Sequence, residues 1–225
     1  MELLKRSETP LISKVNRDEF IEASEVAFDC IFDGTSRFYP WEKPKTIPKK
    51  FNIGLIIGTS GSGKSKMLLD FGVEEDILWD NNKAIISHFD NPEDGINKLS
   101  SVGFNSIPSW YKPFKVLSNG EKFRANLARK IKNGAVIDEF TSVIDRTVAK
   151  ASSVSLSRYI KSNNIENVVL ASCHTDIVDW LEPDWVLNTN TGEFITDFFL
   201  SDQKLKSKYT TQNMIIGNCL KHITI

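Results

Sequence analysis

Residues 58–65 read Gly-Thr-Ser-Gly-Ser-Gly-Lys-Ser and directly follow the apolar run 53–57. A glycine-rich turn of this kind lets consecutive backbone N–H groups converge on phosphate oxygens, and a helix starting near Lys64 adds its positive end. Lys64 has the reach for the β- and γ-phosphates of a nucleotide, and the Ser65 hydroxyl is suited to ligate Mg²⁺. Gly58, Ser60, Gly61, Ser62, Gly63 and Lys66 complete the candidate cradle. Further on, Ala135-Val136-Ile137 runs into Asp138-Glu139. That order sets two carboxylates at the C-terminal end of a buried strand, where open α/β sheets place their ligands. Asp138 would hold the Mg²⁺ shell through water, and Glu139 would orient and polarise an attacking water. Taken alone, a glycine-rich turn can be empty and an acidic pair can merely begin a loop. The full eight-residue pattern after a strand, coupled to the acidic pair, favours the phosphate site.

A second anion-directed element lies between these two. Ser118 and Glu121 have the spacing of a capping box, so a helix is expected to start here, with Phe123, Leu127 and Ile131 on one face. Its start offers a hydroxyl, backbone N–H groups and a positive dipole end. The first loop already cradles its own nucleotide, so this donor set would serve a nucleotide bound to another subunit. The bland alternative is a well-capped amphipathic helix that tolerates Gly120 in its first turn. Leu117-Ser118-Asn119-Gly120-Glu121-Lys122, together with the phosphate loop (Walker A) and Asp138-Glu139 (Walker B), resembles the motif set of ABC-type ATPases. The resemblance implies ATP and Mg²⁺ as ligands and an ATP-dependent homodimer closed head to tail. Each ATP would be sandwiched between one phosphate loop and the partner's signature, Ser118 and Gly120. Ser142-Val143-Ile144-Asp145 resembles the D-loop that crosses such an interface, which adds Asp145 to the nucleotide-binding set. His174 holds the position of the switch histidine that contacts the γ-phosphate.

The scaffold for these residues is legible as alternation. Runs 53–57, 135–137 and 168–171 read as buried parallel strands, with 84–87 as a fourth, and helical patterns separate them. Trp185-Val186-Leu187, then Asn190-Thr191-Gly192, then Glu193-Phe194-Ile195 reads as a hairpin. The expected fold is therefore α/β, a P-loop NTPase nucleotide-binding domain of ABC type with a mostly parallel sheet and a short helical subdomain. Residues 1–24 are expected as an appended helix or loose arm, 25–200 as the ATPase domain and 201–225 as a tail. Pro40, Pro44 and Pro48 make 38–48 an extended loop.

Composition narrows the function classes. A chain of 225 residues with 40% hydrophobic and 25% charged content suits one globular α/β domain. A formal net charge of −1 gives no global pull toward nucleic acid or acidic membrane. Lysine clusters at Lys43/Lys45/Lys49/Lys50 and Lys204/Lys206/Lys208 read first as solvated faces. Cys30, Cys173 and Cys219 lack CxxC spacing, which argues for a reducing compartment and against a disulfide framework or zinc site. No apolar run approaches the roughly 18 residues of a membrane span, and 1–6 lack a signal-peptide core, so a cytoplasmic location without direct membrane insertion is expected.

Two departures refine the resemblance. Gln203 and Gln212 are the only glutamines, so none stands between the phosphate loop and the signature, where transporter subunits carry one. Asp90 or Asn91 is the expected substitute for its Mg²⁺ or water contact. The interval between Lys64 and Ser118 also leaves little room for a helical subdomain that grips a membrane partner. An aromatic residue upstream of the phosphate loop is expected to stack on adenine, with Phe32, Phe38, Tyr39 and Trp41 as candidates. Val102-Gly103-Phe104, Ile107-Pro108-Ser109-Trp110, the run 138–146 and Trp180-Leu181-Glu182-Pro183-Asp184-Trp185 resemble a soluble ABC ATPase family often fused to a GNAT acetyltransferase, phage-encoded members included. The resemblance implies a separate acyltransferase chain as partner, a link to nucleic-acid modification and, for a phage-encoded member, the host cytoplasm. A nucleic-acid-clamping ATPase, a transporter's nucleotide-binding subunit and a simple P-loop kinase remain as rivals.

Overall fold

Every residue of the run 53–57 is buried, as a strand covered on both faces requires. The computed structural model describes residues 1–196; the expected tail, 201–225, lies outside the described residues. In chain order the elements are β1 (Glu2–Leu3), β2 (Leu11–Lys14), α1 (Glu19–Phe28), β3 (Thr35–Phe38), β4 (Ile53–Ile57), α2 (Lys64–Leu68), α3 (Pro92–Ser101) and α4 (Ile107–Trp110). There follow α5 (Asn119–Lys130), β5 (Val136–Ile137), α6 (Arg146–Ser162), β6 (Val168–Ser172), α7 (Ile177–Leu181), β7 (Trp185–Asn188) and β8 (Glu193–Thr196). The main sheet has the order β1-β8-β7-β4-β6-β5. Strands β7, β4, β6 and β5 run parallel, and β8 and β1 pair antiparallel at one margin.

Alternation along β4 divides the core. Ile53, Leu55 and Ile57 join Leu170, Ile137 and Val186 against the helical side, where Leu127, Leu156 and Ile177 are buried. Ile56 faces the other way, with Val169, Leu187, Trp185 and Met67 of α2. Gly54 occupies that second face because the Trp185 ring lies flat against it: a Cβ at position 54 would sit 2.0 Å from Trp185 Cζ2. Phe71 stacks on the same indole at 5.2 Å and Phe51 meets it edge-on at 5.4 Å. The parallel strands all end at one edge of the sheet, so the residues after Ile57, Ile137, Ser172 and Asn188 converge there.

The 53–57, 135–137 and 168–171 strands and the 185–195 hairpin form as the sequence implies. The 84–87 strand does not. Ile85–His88 is a 3-10 turn in which His88 Nδ1 bonds the Ala84 carbonyl (2.9 Å) and Nε2 accepts from the Asp80 N–H (3.0 Å). Backbone groups satisfied this locally need no sheet partner, and a four-residue apolar run carries too little pattern to separate the two cases. In the region of 1–24, Glu2 and Leu3 enter the main sheet, while β2 pairs β3 in a separate two-stranded sheet. The helix between them, α1, is capped by Asp18 and runs on to Phe28 with no buried residue. Phe38 ends β3, and residues 39–48 are irregular apart from an isolated bridge between Arg6 and Trp41.

Candidate functional site

The phosphate loop leaves β4 and is pinned from the side by the β7–β8 turn. Thr59 donates from its N–H and its hydroxyl to Asn190 Oδ1, at 3.0 and 2.9 Å. The Ser62 and Thr189 hydroxyls share a 2.6 Å hydrogen bond, and Thr189 in turn donates to the Ile57 carbonyl. Lys64 Nζ crosses the loop to the Thr59 carbonyl at 2.8 Å. Gly63 sits at φ 98, a left-handed conformation that favours glycine, and a Cβ there would also come within 2.6 Å of the Phe38 ring. Because α2 is only five residues long, the cradle's positive field comes chiefly from the loop N–H groups and Lys64.

Walker A and Walker B meet in one cavity of about 380 Å³. Ser60, Lys64, Ser65 and Lys66 line it together with Asp138 and Glu139. Phe38 is there too, and none of the other three aromatic candidates is. Trp41 is otherwise employed: its Nε1–H donates to the Thr189 carbonyl at 2.7 Å, and Arg6 lies over its ring. Glu139 is exposed and held at φ 49, and Thr141 at φ 67, so the chain leaves β5 through two conformations rare for side-chain-bearing residues. Each costs on the order of 1–3 kcal/mol, a strain that marks functional turns more than ordinary loops.

His174 stands in an adjoining cavity of about 350 Å³, with Gly58, Thr59, Arg146 and Asp176; Cys173 lines both. Burial, reinforced by the Arg146 guanidinium, pushes the His174 imidazole below its ordinary value of 6.5, and Asp176 opposes that shift. Arg146 pairs with Asp176 through Nε at 3.1 Å and through a second nitrogen, and lies 5.0 Å from the Trp180 ring centroid.

The capping box is complete: Glu121 N–H donates to Ser118 Oγ at 3.3 Å, and Ser118 N–H to Glu121 Oε2 at 2.9 Å. Ser118 and Asn119 are exposed. Gly120 abuts Ile144, so the start of α5 and the 142–145 loop share one surface. Asp145 Oδ1 accepts from the Thr147 and Val148 N–H groups and thereby caps α6. Ser118, Gly120 and Asp145 do not line the phosphate-loop cavity.

No family model matches the sequence, and no curated protein matches it. Among solved structures, the dimeric structure of MJ0796, a bacterial ABC transporter cassette, is similar at a TM-score of 0.52 and 13% identity, over 72% of this chain and 92% of that one. The dimeric post-hydrolysis state of the ATP-binding cassette MJ0796 bound to ADP and Pi is similar at 0.53 and 13% identity, over 86% and 98%. The fold is that of an ABC ATPase cassette.

Within this ABC cassette fold one expectation needs correction. Asn91 is occupied as the cap of α3, where Oδ1 accepts from Asp94 N–H at 2.9 Å, and Asp90 is exposed. Neither reaches the phosphate-loop cavity, because α3 starts at Pro92 and fixes both residues at its own entrance. The acidic side chain that does reach Walker B is Glu74, whose Oε2 accepts from the Asp138 N–H at 3.3 Å. The signal for Glu74 was slight: an acidic run, Glu74-Glu75-Asp76, whose basic counterpart Arg129-Lys130 stands more than fifty residues away. Among the described residues, no helix is long and apolar enough to cross a membrane.

Proposed function

We propose that this chain is an ABC-type ATPase that binds Mg-ATP, closes head to tail as a homodimer around two ATP molecules, and hydrolyses them to reopen. The observation that carries this reading is the shared cavity of Ser60–Lys66 with Asp138 and Glu139, while Ser118 and Gly120 present a second donor set on a surface outside it. The dimeric, ADP- and Pi-bound state of the similar cassette supports it.

In this mechanism the loop N–H groups and Lys64 hold the β- and γ-phosphates, and Phe38 stacks on the adenine. The donors fit a hard cation: Ser65 and Asp138 offer oxygen only, and Mg²⁺ takes its remaining ligands from water and phosphate rather than from a protein cage. Bound there, the ion would neutralise charge that develops on the phosphate oxygens. Glu139 orients a water in line with the γ-phosphorus and accepts its proton as the bond from phosphorus to the bridging oxygen breaks. His174, kept neutral by its surroundings, donates a hydrogen bond to the γ-phosphate. Ser118, Gly120 and Asp145 act on the ATP of the other subunit. ATP therefore favours the closed dimer by the contacts it makes only there, and loss of phosphate removes them.

We place residues 25–200 as the ATPase body and 1–24 as an arm upon it, working in the cytoplasm where ATP is supplied. The partner that takes up the motion is an acyltransferase by the resemblance above. A nucleic-acid clamp is the weaker reading, since Lys43 donates to the Asp70 carbonyl and Lys50 pairs with Glu166. The Glu139→Gln variant tests the mechanism by light scattering with and without Mg-ATP. A monomer-to-dimer shift with turnover reduced at least ~10²-fold is expected, as for loss of a general base; undiminished turnover would remove Glu139 from that role.

A further inference from the structure

Residues 71–80 form no helix or strand, yet they are fastened along α5. Arg129 donates from Nη1 to the Leu78 carbonyl at 2.6 Å and lies 4.8 Å from the Trp79 ring centroid. Trp79 donates from its indole nitrogen to Asn126 Oδ1 at 2.7 Å. Lys130 pairs with Glu74 Oε1 at 2.6 Å, and Lys132 pairs with Glu75. The segment that follows α2 is thus a strap laid over the last turns of the signature helix.

Glu74 differs from the rest of the strap, because its other oxygen accepts the Asp138 N–H. One carboxylate thereby spans the end of α5 and the strand end that carries Walker B. Exposure separates this link from its neighbour. The Lys130 and Glu74 side chains are 16% and 31% exposed, against 61% and 49% for Lys132 and Glu75. The outer pair is a solvent pair of little consequence, whereas removing one partner of the inner pair strands a charge largely withdrawn from water. A second cavity of about 170 Å³, lined by Glu74, Lys130, Asp138 and Glu139, lies beside the link and leaves room for the carboxylates to shift.

We infer that Glu74 is a positioning residue that couples the signature helix to Walker B. When Ser118 engages the other subunit's nucleotide, a displacement of α5 draws on Lys130 and, through Glu74, on the backbone of Asp138 and Glu139. The inference rests on the ATPase reading, so it needs one measurement independent of ATP. In the nucleotide-free full chain, amide exchange at Asp138 followed by NMR is expected to quicken about threefold to tenfold in Glu74→Ala, the effect of losing one hydrogen bond. Glu74→Gln, which retains an acceptor oxygen, should stay near wild type at Asp138. In turnover, Glu74→Ala and Lys130→Met should each lower kcat about tenfold, with KM for ATP little changed and Tm lowered by the stranded partner, and the double variant should be no worse than Glu74→Ala. Unchanged Asp138 exchange in Glu74→Ala overturns the link, and if that variant does not fold, unchanged kcat in Lys130→Met overturns it equally. A wild type that never hydrolyses ATP, while Asp138 exchange responds as expected, would instead defeat the ATPase reading and leave the link standing.

Discussion

In the proposed mechanism the loop at 58–65 and the start of α5 both receive an anion, and they differ in what completes them. The loop is braced inside one chain, with Asn190 and Thr189 on its flank and the Walker B carboxylates in a shared cavity. The start of α5 is braced by its own capping box and by the hydrogen bond between Glu121 and Ser109; Ser118 and Asn119 are exposed and line no part of that cavity. A finished half-site beside an unfinished one is what a nucleotide shared between two copies requires. On the proposed reading the difference means that binding and turnover should separate: a monomer would suffice for the first and not for the second.

Two substitutions press on that separation. Lys64→Ala strikes the finished half and should lower both ATP binding and turnover, kcat/KM by about 10³-fold, since a preorganised charge at the reacting phosphate is removed. Equilibrium binding of a labelled ATP analogue, run beside turnover, would show whether binding survives; if it does, the loop is not the phosphate site. Ser118→Phe strikes the unfinished half. ATP binding to the monomer should remain within about twofold while turnover and ATP-driven dimerisation fall about 10²-fold, with ~1 kcal/mol of stability lost with the cap. Equal loss of binding would collapse the distinction between the halves.

The smallest effect concerns pH. The native His174 is held below 6.5, so the unfolded chain binds the proton first as pH falls. Its contribution to stability is present above 6.5 and is lost as pH drops toward the native value. Melting temperatures at pH 7.5 and 5.5 should therefore fall further for wild type than for His174→Gln, and parallel losses would mean that the imidazole is not perturbed by its cavity.

What the sequence discloses follows from whether the chemistry is contiguous. Eight successive residues wrote the phosphate loop, two wrote Walker B and four wrote the capping box, and strand β4 spans the residues read from its apolar run. The margins were harder. Glu2 and Leu3 pair with Phe194 and Glu193, and nothing in a two-residue strand announces a partner at the far end of the sheet. Phe38 could not be chosen over Trp41 until β3 placed it against Gly63. Glu74 was hidden because its partners, Lys130 and Asp138, become neighbours only after α5 and β5 are packed. At 84–87 local hydrogen bonding around His88 overrode an apolar run that length alone could not resolve.

Both margins of the six-stranded sheet are strands of two residues, β1 on one side and β5 on the other. So short an edge offers too few free N–H and C=O groups to template another strand. Among the described residues this sheet is self-limiting: neither of its margins invites another copy to add edge to edge as the protein crowds. That suits the proposed dimer, whose copies must come apart after every cycle.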